Sequence, residues 1–315
     1  MSKCNVAFIS LCLVSLAAGC GPGRTAAATQ STAKAFDPSK SEPKAIEIAD
    51  QVMNAIGGQA NWDKAKEIIW AQGLVIDGKL QDVVKHAWDR WNGRHQFTRW
   101  FGDGGQAVAM HELFSDTSFG YTQTEAGRFS QLKEDKEKAV VEAKRRFDLD
   151  TYMLFLPFKL KDPGVKLAFA QELPDLEATT ADAPMKYDII KITFDEGVGP
   201  GSGETWYLSV DKATHMPAWI EHVAAGKPDN ERGGFRLEDW KEVGGLKFAT
   251  RRVTLGYGKA TDPKVPVQIP PAWKGKTAFE GSQAANPSET VLIQGLEVNA
   301  SPNDELYIPD VKVSM

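Results

Sequence analysis

From Glu67 onward the apolar residues come in short β-rich runs broken by Gly, Asp and Asn: "IIWAQGLVID", "LQDVVKHAWDRW", "RHQFTRWF", "QAVAMHELF" and "TSFGYTQT". Turn signals recur between them at "DGK", "NGR", "GDGGQ" and "SDTS". Short strands at this spacing predict an antiparallel meander curled into a barrel or sandwich. Asn92-Gly93 carries the residue types of a two-residue type I′ turn, so a hairpin is predicted there. The second half repeats the texture with "GVKLAFAQEL", "KYDIIKITF", "ETWYLSVD", "PAWIEHVA", "GFRLEDWKEV" and "LKFATRRVTLGYG". Gly197 to Glu204 and "EVGGLKF" read as turns, Thr261 to Pro287 as a long loop, Glu289 to Asn299 as a last strand, and "DELYIPD" as a terminal extended segment.

Helical spacing appears in three places. In Lys44 to Gly58, Ile46, Ala49, Val52, Met53 and Ile56 share a face, and Gly57-Gly58 supplies a stop. A short helix begins near Asn61, a suitable N-cap. Leu132 to Asp162 opens charged and helical, with Glu134, Lys138 and Glu142 at i,i+4 spacing, and turns apolar in "YMLFLPFKL". Pro157 argues against a continuous helix through that second part. The segment reads as a helix and linker packed on the sheet, or as an apolar lid over a cavity. The fold class is mainly β with capping helices (α+β), in one domain over residues 44–315.

The first residues follow another pattern. Lys3 precedes the uncharged run Val6 to Ala18, thirteen residues long and too short to span a bilayer, which needs about 20. Small residues then lead into Cys20, so 1–19 resembles the signal peptide and lipobox of bacterial lipoproteins. That resemblance implies cleavage before Cys20 and its lipidation with acyl groups such as palmitate. Residues 20–43, rich in Gly, Ala, Ser, Thr and Pro, read as a tether. All three cysteines, Cys4, Cys12 and Cys20, lie in this region, so no thiol chemistry or disulfide is available to the domain. With 37 Lys and Arg against 42 Asp and Glu the formal net charge is -5, which gives no pull toward nucleic acid.

Candidate chemistry is sparse. His86, His95 and His111 fall on successive predicted strands, which can converge, and His215 and His222 on a later pair. There is no HExxH and no cysteine partner, so the histidines read as surface or hydrogen-bonded core groups, and neither a metal nor a cofactor is expected. No G-x-S-x-G motif is present: around Ser202, Pro200 and Glu204 stand where its glycines would be. Asp148 and Asp150 are a possible acid–base pair that needs a shared cleft. An enzyme would require the three histidines, or such a pair, to meet in one pocket; the reading is non-enzymatic.

The aromatic residues are more distinctive. They form either a large core or an apolar cavity in an incompletely closed barrel. The candidate lining takes Val52, Met53 and Ile56 from the first helix, and Trp70, Trp88, Phe97 and Trp100 from the first strands. Phe155 and Phe158 from the apolar segment, with Trp206 and Trp219 from later strands, complete it. Trp88 and Trp91 would face opposite sides of one strand.

The order of "HAWDRWNGRHQF", "LFLPFKLKDPGVKL", "YDIIKITF", "WYLSVDKATHMPAWIE", "GGLKFATRRV" and "LYIPD" resembles the LolA/LolB-type lipoprotein-carrier superfamily, in its broad periplasmic branch. The resemblance runs from Lys44 to Pro309 and implies an unclosed antiparallel β-barrel plugged by helices, holding a lipid or acyl chain. It implies a tethered periplasmic lipoprotein, with an envelope sensor or scaffold that binds a protein partner as the alternative. Gly21 after Cys20, rather than Asp, implies the outer membrane by the same resemblance.

Overall fold

Strand alternation and turn residues build one sheet. The computed structural model describes residues 35–77, 79–100, 105–115, 117–123, 133–175, 184–199, 203–228, 232–255 and 285–308. The signal segment, Cys20 and most of the expected loop between Thr261 and Pro287 lie outside them. Among the described residues, no helix is long and apolar enough to cross a membrane.

Two short helices come first: α1 is Pro43–Ala55 and α2 is Gln59–Lys64. The strands β1 Glu67–Ile76, β2 Lys79–Asp89, β3 Arg94–Trp100, β4 Gln106–Glu112 and β5 Thr117–Gln123 form a first meander. The long helix α3, Lys133–Phe155, follows. A second meander comprises β6 Val165–Pro174, β7 Met185–Phe194, β8 Thr205–Asp211, β9 Pro217–Val223, β10 Gly233–Val243 and β11 Leu246–Leu255. The last strand, β12 Ala285–Asn299, lies between β1 and β11 and joins the two meanders. All pairs are antiparallel, and the order β5-β4-β3-β2-β1-β12-β11-β10-β9-β8-β7-β6 leaves the sheet unclosed. The mainly β, unclosed fold expected from the sequence is the fold found.

The helices cover the concave face. Ala45, Ile48, Ala49, Val52 and Ile56 of α1 are buried there with Trp62 of α2. The buried stripe is thus centred on Ala45 and Ile48, and the expected Ile46 and Met53 sit at its half-exposed margin. Arg90 closes the end of α2: its Nη1 donates to the carbonyls of Trp62 and Ala65 at 2.7 Å each, and its guanidinium lies 3.5 Å from the Trp62 ring centroid. These are carbonyls the helix cannot satisfy itself. At the next turn Gly57 (φ 125°) passes so close to β11 that a Cβ there would stand 2.2 Å from the Gly245 carbonyl oxygen. Only glycine fits that approach.

Four local expectations are corrected. The β2–β3 turn is not a two-residue type I′ turn but a four-residue one, Arg90 to Gly93, because the buried Asp89 carboxylate accepts from the amides of Trp91 (3.1 Å) and Asn92 (2.9 Å). Trp91 therefore sits in the turn, 52% exposed, and shares no strand with Trp88. The α3 helix does continue into the apolar segment through Phe155; the Pro157 ring only tightens its end into a 3-10 turn, Leu156–Phe158. "DELY" forms a 3-10 turn instead of an extended segment: Asn303 caps it, and Tyr307 Oη and the Asn303 amide both donate to the buried Glu67 on β1 (2.9 and 3.0 Å). Finally, the outer part of the expected tether is docked. Phe36 packs on the core, Lys40 pairs with Asp195 at 2.9 Å, and Glu42 and Ser41 hydrogen-bond Leu167 on the free edge of β6.

Candidate functional site

Cross-strand register sets the concave floor between α3 and the first meander. Trp88 stands opposite His95, His95 opposite His111, and His111 opposite Ser118. The adjoining row is Trp70, His86, Phe97, Ala109 and Gly120. His86 is therefore diagonal to His95, within side-chain reach. The three histidines, read as surface or hydrogen-bonded core groups on strands that can converge, do converge in the core.

They form a buried column under α3, joined by a hydrogen bond between His86 and His95 and by stacking between His95 and His111. His86 Nε2 lies 3.2 Å from Asp150 Oδ2, and His86 Nδ1 lies 3.0 Å from His95 Nε2. The His95 and His111 rings are parallel within 7°, with centroids 5.6 Å apart, and His111 Nδ1 is 2.8 Å from Ser118 Oγ. Asp150 comes from α3, as does Arg146, whose Nε is 2.8 Å from the same Oδ2. On the far side Gln72 of β1 hydrogen-bonds Asp150 and accepts from Arg252 Nη2 of β11 at 3.1 Å. A polar belt thus crosses the concave face from Arg252 to Ser118.

The belt is chemically tense. Burial pushes His86 below its ordinary pKa against the pull of Asp150, and burial with two neighbouring imidazoles holds His95 well below it. Burial works to raise Asp150, but its bonds to His86 and the charge of Arg146 outweigh that and hold it below the usual carboxylate value. Burial brings Arg252 down to about 10, and its Nε has no hydrogen-bond partner. At the His111 end a cavity of about 190 Å³ is lined by His111, Glu112, Leu113, Ser118, Lys144, Phe147 and Asp148. Burial raises Asp148 there, against the opposing charge of Lys144. Asp148 and Asp150 do not share this cavity. Among the described residues, no group of three or more His, Cys, Asp or Glu is placed to hold a metal ion.

Beside the belt lies an aromatic layer. Val52, Ile56, Trp70, Trp88, Phe155, Phe158 and Trp206 are buried in one cluster, with Met53 partly buried against it. Phe155 is its hub: Trp70, Trp88, Trp62 and Phe248 surround it at centroid distances of 5.1, 5.6, 5.9 and 6.0 Å. Eight of the eleven residues expected to line a cavity therefore meet, but packed against one another. The other three do not join them. Phe97 lies in a smaller group with Val84, Ala109 and Ala143 under α3. Trp100 is 41% exposed at the end of β3, and Trp219 is buried with Tyr207, Ile189, Leu173 and Val223, on the face of β6 to β9 opposite the concave-facing Trp206, Leu208 and Ile220. Asp150 was singled out only as a partner of Asp148, not of the histidines, and Gln72 and Arg252 were missed. A carboxylate seven residues before Pro157 on a helix was a weak signal, and the other two gave none.

No family model and no curated protein matches the sequence. Among solved structures, the chain is similar to a DUF1329 family protein from Desulfovibrio piger ATCC 29098, with a TM-score of 0.45 and 10% identity over 84% of this chain and 97% of that one. It is similar also to a putative outer membrane lipoprotein-sorting protein domain from Vibrio parahaemolyticus, with a TM-score of 0.41 and 9% identity over 84% and 96%. A LolA superfamily protein from Nitrosomonas europaea gives 0.33 and 10% over 81% and 98%.

Proposed function

We propose that the protein is an exported lipoprotein, tethered to a membrane through Cys20, that holds a lipid or acyl chain on the concave face of its open sheet. The observation that carries this reading is the position of α3. It begins after β5 and ends before β6, the two unpaired ends of the sheet, and lies over an aromatic floor. Its first half rests on β3 to β5 through small side chains, Ala139 and Ala143, and its second half is held on β2 through Arg146 and Asp150 of the polar belt. A helix held so can move without breaking any strand ladder. An acyl chain gains about 0.8 kcal/mol per buried CH₂, so ten methylenes on the floor offset about 8 kcal/mol of displaced packing.

Purified protein is tested for co-extracted lipid by mass spectrometry and for uptake of a fluorescent fatty acid. The lid is tested with the pair Gly120→Cys and Ala139→Cys. A Cβ at Gly120 would stand 3.3 Å from that of Ala139, close to disulfide spacing, although it also presses on the Lys136 carbonyl at 3.0 Å. The oxidised pair is expected to lose uptake and the reduced pair to regain it; equal uptake in both forms refutes the lid. One observation favours the second reading, a sensor or scaffold for a protein partner: the chain's own side chains fill the floor. Absence of both lipid and uptake would select it.

A further inference from the structure

We infer that the His86–His95–His111 column is an acid-sensitive latch: proton uptake releases α3 from β2–β5 while the rest of the sheet stays paired. This rests on the reading of the concave face as the binding surface and names what regulates it.

The hydrogen-bond pattern is complete with all three rings neutral. With Asp150 accepting from His86 Nε2–H, a neutral His86 has only a lone pair at Nδ1, so His95 must donate from Nε2. His95 Nδ1 is then an acceptor, and it is buried without a partner. A proton placed there finds nothing to donate to. The charged groups facing the column are Arg146 and Asp150 from α3, Asp82 from β2, Arg99 from β3 and Arg252 from β11, with Lys144 and Asp148 of α3 and Glu112 of β4 around the cavity at His111, none of these three in contact with His86 or His95. Asp150 is the carboxylate in contact, and it is already shared by Arg146, His86 and Gln72. Further positive charge on rings 5.3 and 5.6 Å apart therefore meets repulsion without a counter-ion. The column ends at the cavity beside His111, the nearest route for a proton from solvent.

The sign follows from the depressed histidines. With α3 lifted they regain an ordinary pKa near 6.5, so below about pH 6.5 the open form binds protons that the closed form refuses. Each such histidine multiplies the opening constant by up to about ten per pH unit, and His86 with His95 by up to about a hundred.

The test is amide hydrogen exchange of the full mature protein at pH 7.5 and 5.0, corrected for intrinsic rates. Opening of residues 133–155 should rise at least tenfold at pH 5.0 while β7–β9 stay protected. His95→Phe, beside Phe147 (ring centroids 4.4 Å), should cut the pH response of α3 about tenfold, leaving only the share of His86; His95→Gln, which cannot titrate but can still hydrogen-bond His86, repeats the test if the first variant does not fold. Unchanged α3 protection in the wild type, parallel loss in β7–β9, or an undiminished pH response in the His95 variant overturns the latch. Acid release of α3 with no fatty-acid uptake at either pH leaves the latch standing and refutes the binding reading. Uptake with pH-independent protection does the reverse.

Discussion

Phe155→Ala tests whether the aromatic layer is a packed core or a ready-made groove. The ring is fully buried at the end of α3 and is flanked by rings from α2, β1, β2 and β11, two of them edge-on at 82° and 88°. Truncating a core phenylalanine costs about 3–5 kcal/mol, the transfer of the lost carbons plus the cavity left behind. Four rings anchored on four separate elements cannot collapse together, so a cost near 4 kcal/mol is expected. In a chain of this size that lowers the melting temperature by about 10 °C. Urea titration followed by tryptophan fluorescence measures it, with Trp62, Trp70 and Trp88 as reporters beside the lesion. Phe119→Ala on β5, 40% exposed, is the control and should stay within about 0.5 kcal/mol. A cost below about 1.5 kcal/mol at Phe155 would refute the packed layer, since only a site already open to solvent or ligand loses so little.

Glu67→Ala should cost about 3 kcal/mol, because it strands the buried Tyr307 hydroxyl and the Asn303 amide, whereas Tyr307→Phe removes one bond and should cost about 1.5 kcal/mol; urea midpoints separate the two. Gly57→Ala should destabilise by more than about 3 kcal/mol in a thermal melt, since its backbone is in the left-handed region and its Cβ would strike the Gly245 carbonyl. Arg252→Met should be neutral or stabilising by about 1 kcal/mol, because a buried cation with one hydrogen bond is exchanged for a side chain of similar length; Asp150→Asn, which removes the carboxylate between Arg146 and Arg252 and leaves Arg146 only the more distant Asp82, should cost about 3 kcal/mol.

The alternation of apolar residues made the strands legible, because period two survives any error in turn geometry. Register did not. A two-residue turn at Asn92-Gly93 would have set Trp88 opposite Phe97; the Asp89-capped turn shifts the pairing by two residues and sets it opposite His95. The histidine column depends on that shift, and the decisive group was the side chain of Asp89, not the turn dipeptide. The lining residues on α1, β1 and the α3 end were recoverable because their neighbours are near in sequence or fixed by periodicity. Trp219 was misplaced because aromatic type does not report which face of a strand is concave. Asp150 and Arg252 are joined only through Gln72, three strands and a helix brought together by the whole fold, which no local pattern encodes.

The position of β12 has a kinetic consequence. It pairs with both β1 and β11, so the first meander and the second remain separate half-sheets until residues near the carboxyl end arrive. Pairing Glu67 with Asn299 closes one of the longest loops in the chain, and such distant contacts make folding slow. A chain synthesised from its amino end would keep its two half-sheets apart until the strand that joins them emerged.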